Sequence, residues 1–136
     1  MKIVEQSDAG VPPGHSSRRC ISIVDDDASI REALKSLMRS VKLTVDGFAS
    51  AEEFLASERV NDTACLILDV YLPGMNGFAL QDRLNAERRK IPIVFMTAHA
   101  DDASRQRALK GGAIDFLSKP VRRDSLFKAV QSAIGG

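Results

Sequence analysis

The sequence predicts an α/β fold, a three-layer sandwich in which a parallel five-stranded sheet lies between two layers of helices. Three observations predict it. Short apolar runs, Ile21–Val24, Leu66–Leu68, Ile93–Met96 and Ile114–Leu117, have the length and continuity of strands covered on both faces. Helix-length segments separate them, with apolar residues at helical spacing. Capping and turn residues punctuate the joins. At 136 residues the chain suits one domain with a single core system.

Taken in order, residues 1–19 contain Gly10, Pro12, Pro13, Gly14, Ser16 and Ser17 with little apolar content, and are expected to form a flexible N-terminal extension. The folded unit is expected to span 20–136. Its first strand is Cys20–Val24. Ile30, Leu34, Leu37, Met38 and Val41 then place a core-facing stripe on the first helix. A weaker second strand covers Leu43–Phe48, and Ser50 with Glu53 forms a capping box that opens the second helix. The third strand, Ala64–Asp69, runs into the turn-rich Leu72-Pro73-Gly74-Met75-Asn76-Gly77. The third helix continues to about Arg88 and buries Phe78 and Leu84.

Pro92 starts the fourth strand, where a missing donor does little harm. Asp101 or Asp102 caps the fourth helix and Gly111-Gly112 ends it. The fifth strand is Ile114–Ser118. Asp124 opens the fifth helix, with Leu126, Val130 and Ile134 on one face. Five β-α units in succession imply right-handed crossovers and a flavodoxin-like (βα)5 sheet of order 2-1-3-4-5.

Composition is ordinary for a soluble globular chain, 44% hydrophobic and 27% charged. A net charge of +1 gives no reason to expect direct nucleic-acid or membrane binding. No apolar segment approaches the roughly 20 residues that cross a bilayer. The N-terminus lacks the apolar core of a secretory signal, so a cytoplasmic location is expected. Cys20 and Cys65 lack metal-ligand spacing and read as reduced, buried hydrophobes. His15 and His99 suggest no zinc site.

The polar residues that end the strands carry the chemistry. In an open parallel sheet, ligands gather beyond the carboxyl ends of the strands, at the point where the strand order reverses. That point lies between strands one and three, which end in Asp25-Asp26-Asp27 and in Asp69. Strands are about 4.8 Å apart, so Asp25 or Asp26 can share a cation with Asp69. Magnesium suits such oxygen ligands and usually keeps several waters. Thr97 ends the neighbouring strand, where a short hydroxyl reaches a phosphoryl oxygen. Lys119 leaves the strand beyond, about 10 Å away, a gap only a long side chain crosses. Pro120 follows it and fixes the local backbone, in a position open to a cis bond. Singly, each residue has a plain alternative: a cap, a turn, a strand residue, a surface lysine. Together, at the ends of separate strands in this order, they predict a magnesium-assisted phosphoryl site.

Across residues 20–134 the chain resembles the receiver domain of two-component response regulators, through IVDDD, LILDVYLPGMNG, VFMTAHADD and GGAIDFLSKP. TAHADD and AIDFLSKP are closest to the FixJ-like subgroup, whose members often carry a C-terminal DNA-binding domain. The resemblance implies that Asp69 accepts a phosphoryl group from a sensor histidine kinase or phosphotransfer protein. It implies Asp25 and Asp26 as the acidic pair for Mg2+, Asp26 the more direct ligand, with the Tyr71 carbonyl completing the protein's share. Thr97 and Lys119 would contact the phosphoryl group. Phe116 occupies the aromatic switch position, where tyrosine is common; without a hydroxyl it can switch only by changing rotamer.

Asp27 stands where glutamate is frequent and reads as a helix cap. The implied output surface is the fourth helix, fifth strand and fifth helix, serving a downstream protein and leaving room for a phosphorylation-dependent homodimer. Because the sequence ends at Gly136, a stand-alone single-domain regulator is expected, not itself an enzyme beyond its own phosphorylation and dephosphorylation. The alternatives are the N-terminal part of a FixJ/LuxR-type transcription factor and a haloacid-dehalogenase-like phosphatase. The latter wants a second acid two residues after its nucleophile, where this chain has Tyr71. Tyr71 and His99, each two residues past a site residue, are expected to flank the water path.

Overall fold

The computed structural model describes residues 20–135; the expected N-terminal extension lies outside them. The elements are β1 (Cys20–Val24), α1 (Ala28–Ser40), β2 (Thr44–Phe48), α2 (Ala51–Ala56), a 3-10 turn (Glu58–Asn61), β3 (Thr63–Asp69), α3 (Gly77–Ala86), β4 (Ile93–Thr97), α4 (Asp102–Lys110), β5 (Asp115–Ser118) and α5 (Arg123–Ile134). All ladders are parallel and the order is β2-β1-β3-β4-β5, as predicted.

Side chains alternate across the sheet and so supply two cores. Ile21, Ile23, Cys65, Ile67, Val94 and Met96 face α1 and α5, meeting Leu34, Met38, Leu126, Ala129 and Val130. Val24, Leu66, Leu68, Phe95 and Phe116 face the other layer, packing with Phe54, Phe78, Leu80 and Leu84. Both faces of the central strands are thus apolar, which is why those strands read as continuous runs instead of alternating ones.

The caps form as the sequence suggests. Asp27 accepts from the Ser29 and Ile30 amides at 2.8 and 3.2 Å. Ser50 accepts from Glu53, whose carboxylate reaches back to the Ala49 amide. Asp101, not Asp102, caps α4. Several boundaries differ. β2 and β5 begin one residue later than expected, and β3 one earlier. α3 stops at Ala86, because Arg88 turns into the left-handed region at φ 57°. α5 begins at Arg123 with no side-chain cap, one residue before Asp124.

The outer ends of two apolar stripes also fail to reach the core. Val41, just past the end of α1, is 47% exposed, and Ile134, the last residue of α5, is 39% exposed. Ile114, expected to open β5, precedes it and is exposed as well.

α4 is the least apolar helix. Ala108 is its one buried residue, and polar hooks from α3 hold it instead. The buried Gln81 donates to the Ala108 carbonyl at 2.9 Å and Asn85 to that of Gly111 at 2.9 Å. Arg107 lies over the Phe78 ring, 4.5 Å from its centroid. Such contacts are weaker than a full apolar stripe.

Candidate functional site

Three strand ends build the site at the carboxyl rim. β1 pairs with β3 through Val24 and Leu68, so the residues that follow, Asp25 and Asp69, emerge side by side. Carboxylate oxygens of Asp25, Asp26 and Asp69 lie within 4.8 Å of one another. Asp25 is fully buried, Asp69 is 5% exposed and Asp26 is open to solvent. The Lys119 ammonium crosses from β5 and donates to Asp25 Oδ2 at 2.8 Å and to Asp69 Oδ2 at 3.0 Å. Its backbone is fixed by a 2.7 Å bond from the Lys119 amide to the Thr97 carbonyl, and the Lys119–Pro120 peptide is cis. Of the five positions expected to converge, Asp25, Asp26, Asp69 and Lys119 come together, while Thr97 is tied to them through its carbonyl and the Lys119 amide.

The remaining acceptors of the two buried acids are accounted for. Asp25 Oδ1 accepts from the Asp27 amide at 2.9 Å. Asp69 Oδ1 accepts from the Tyr71 amide at 3.2 Å. Each oxygen of Asp69 therefore has its own donor, which fixes the carboxylate plane. Burial raises the Asp69 pKa; Lys119 opposes this and the Asp25 charge adds to it, leaving the group above the ordinary carboxylate range. Burial also works against the Lys119 ammonium, but Asp25 and Asp69 outweigh it and raise its pKa.

Thr97 ends β4 one residue past Met96, the partner of Asp69 in the ladder. It is buried, and its hydroxyl accepts from the His99 amide at 3.0 Å. Phe116 shares its face of the sheet. That ring is already inside, 1% exposed, 6.3 Å from the Phe95 centroid and covered by the Arg105 guanidinium at 5.4 Å. Tyr71 and His99, expected as separate flanking residues, meet edge to face with centroids 5.8 Å apart.

Two further features escape a sequence reading. Gly77 opens α3 against the back of the site: a Cβ there would lie 2.5 Å from the Asp69 carbonyl oxygen and 3.0 Å from Val70 Cα. Glu52 on α2 accepts from the Met75 amide at 3.0 Å, gripping the loop that follows Asp69. The turn-rich 72–77 segment hinted at Gly77; nothing local hinted at Glu52.

A carboxylate cluster with one ammonium is a donor set for a hard divalent cation and a phosphoryl group. The sequence profile of the response regulator receiver domain matches residues 21–131. The chain belongs to the response regulator receiver family. Nodulation protein W of Bradyrhizobium diazoefficiens is 47% identical over 118 residues, 87% of this chain and 52% of that protein. The transcriptional regulatory protein FixJ of the same organism is 38% identical over 114 residues, 84% of this chain and 56% of its own length. The solved structure of the response regulator StyR superposes with a TM-score of 0.79 at 43% identity, covering 85% of this chain and 59% of that one.

The receiver thus spans about half the length of the curated relatives it matches. The subgroup expected from its motifs is among them. Receivers are signalling domains, phosphorylated by histidine kinases, which bind Mg2+ at an acidic pocket and act on downstream targets. Among the described residues no helix is long and apolar enough to cross a membrane.

Proposed function

We propose that this receiver takes a phosphoryl group onto Asp69 from the phosphohistidine of a sensor histidine kinase or phosphotransfer protein, and that this changes the face a downstream protein reads. The observation that carries the reading is the Lys119 ammonium bridging Asp25 and Asp69, with a third carboxylate alongside. The three acids fit a magnesium site: their oxygens cluster, and Lys119 pairs with two of them while the Arg31 guanidinium is taken up by the Asp25 backbone carbonyl at 2.7 Å. Asp26 and Asp69, with the Tyr71 carbonyl, would hold Mg2+, and Asp25 would act through it or through water. When bound, the ion neutralises charge on the transferring phosphoryl oxygens.

Asp69 attacks the phosphorus in line; the new P–O bond forms as the P–N bond to the donor imidazole breaks. The Tyr71 amide holds one carboxylate oxygen in place. Lys119 is held where charge collects on the phosphoryl group, so little reorganisation is needed. The product carries close to two negative charges and new acceptor oxygens. Thr97, now bonded to the His99 amide, is placed to turn its hydroxyl toward them. Phe116, on the same face and under Arg105, transmits that change to α4. α4 is held by polar hooks, and it carries the response into the α4–β5–α5 face. An apolar groove lined by Ile30, Ala33, Leu34, Met96, Pro120 and Val121 runs up to Lys119 and gives a protein donor its approach.

The reaction belongs in the cytoplasm, in keeping with two free, buried thiols. As a stand-alone regulator the unit passes its state to a separate protein or to a second copy of itself. The length of its relatives favours a second arrangement, in which the same face governs a joined DNA-binding unit; the reading frame beyond Gly136 separates the two. The direct test is Asp69→Asn. Wild-type protein should be labelled by an acyl phosphate donor with Mg2+ and the variant should not; full labelling of the variant would overturn the assignment. A phosphomonoester should not be turned over, which sets this reading against a phosphatase.

A further inference from the structure

The loop from Val70 to Asn76 encloses one side of Asp69, and its amides are held in sequence. The Val70 amide donates to the Met96 carbonyl at 3.0 Å, tying the loop's start to β4. The Tyr71 amide holds Asp69 Oδ1. The Gly77 amide donates to the Val70 carbonyl at 2.9 Å, closing the loop on itself. Leu72 is buried beneath it, while Tyr71, Pro73 and Gly74 stand in solvent.

The tip is gripped from another element. Glu52 Oε2 on α2 accepts from the Met75 amide at 3.0 Å. Room for that carboxylate exists because Gly74 has φ +73° and no side chain; a Cβ there would lie 2.7 Å from Glu52 Oε2. The Met75 amide holds the Glu52 carboxyl below the usual range, so it stays ionised and accepting at neutral pH. α2 is a firm base for the grip, capped by Ser50 and anchored by the buried Ala51 and Phe54.

We propose that Glu52 is a positioning residue for the chemistry at Asp69: by fixing the tip of the β3–α3 loop it holds the Tyr71 backbone where Asp69 and the cation need it. This rests on the function proposed above. Loosening the tip lets the Tyr71 peptide swing, so that its amide leaves Asp69 Oδ1 and its carbonyl leaves the cation site. Partners that orient metal ligands typically affect affinity by 10–100-fold. Glu52 is exposed, which places its effect at the low end.

The test uses full-length Glu52→Ala and Glu52→Gln beside wild type. Tyr71 is the chain's one tyrosine and there is no tryptophan, so tyrosine fluorescence anisotropy reads this loop directly. In Glu52→Ala the anisotropy should drop, and the Mg2+ dissociation constant from calorimetry should rise about tenfold. Labelling should slow at low Mg2+ and recover at saturating Mg2+. Glu52→Gln, which keeps an acceptor, should restore most of each value, with unfolding midpoints alike in all three. Wild-type anisotropy and Mg2+ affinity in Glu52→Ala would overturn the proposal, as would equal losses in both variants with a lowered midpoint. Failure of wild type to be labelled at all would instead overturn the phospho-acceptor reading, while the anisotropy would still decide whether Glu52 holds the loop.

Discussion

Replacing Lys119 by methionine keeps the aliphatic stem and removes the ammonium from between two acids. At an effective dielectric of 20, Lys119 attracts Asp25 at 2.8 Å by about 6 kcal/mol and Asp69 at 3.0 Å by about 5.5 kcal/mol. Repulsion across the 4.8 Å that bounds the carboxylate cluster is about 3.5 kcal/mol. These are gross terms. The Lys119 side chain is 18% exposed and its own burial opposes the charge, so most of the attraction is offset by lost hydration. The net loss expected for breaking such a pair is about 3 kcal/mol, or about 12 °C in melting temperature for a unit this size.

The pH dependence has a definite sign. Even with Lys119 present, the folded Asp69 carboxyl sits above its unfolded value near 3.9. The folded state therefore holds that proton more tightly, and this group's contribution to stability falls as pH rises through the window between the two values. Removing Lys119 stretches the window upward. The variant's deficit should thus be largest at pH 7, shrink by pH 4 to 5, and narrow when millimolar Mg2+ supplies the missing positive charge. Thermal unfolding followed by circular dichroism, at both pH values with and without Mg2+, measures all three. A variant within about 2 °C of wild type at pH 7, or a deficit untouched by pH and Mg2+, would refute the bridging role of Lys119.

Tyr71→Ala and His99→Ala should each change the lifetime of the aspartyl phosphate, and because the rings touch, the double variant should fall short of the product of the two effects; unchanged lifetimes would remove both from the account. Gly77→Ala should destabilise by about 1–3 kcal/mol, because the new methyl meets the Asp69 carbonyl and the Val70 backbone; denaturant titration with an unchanged slope would measure it, and a wild-type midpoint would contradict the close approach. Burial pushes the Cys65 thiol up to about 12, so Cys65 should resist alkylation until the chain unfolds; rapid modification of native protein would count against the packing of β3.

Much of this receiver is written locally. Strands covered on both faces need largely apolar runs, so Leu66–Leu68 and Cys20–Val24, broken at Ser22, which is buried against Thr63, announce themselves, and the polar residues ending each run mark the rim of the sheet. Asp27, Ser50 and Asp101 cap the helices that follow because capping is an interaction over three residues, fully contained in sequence. The rest depended on distance. Val41 and Ile134 continue the apolar stripes yet stay exposed at the helix ends, which periodicity cannot register. Glu52 and Met75, 23 positions apart, meet only because α2 and the β3–α3 loop are brought together above the sheet. Phe116 is legible as an aromatic at the right offset, but its burial beneath Arg105 is a fact of how α4 crosses β5. Local pattern determined the elements, their order and the chemistry at their ends; the tertiary structure decided which oxygen each donor serves, since that choice is made by ångström-scale approaches between segments the chain holds far apart.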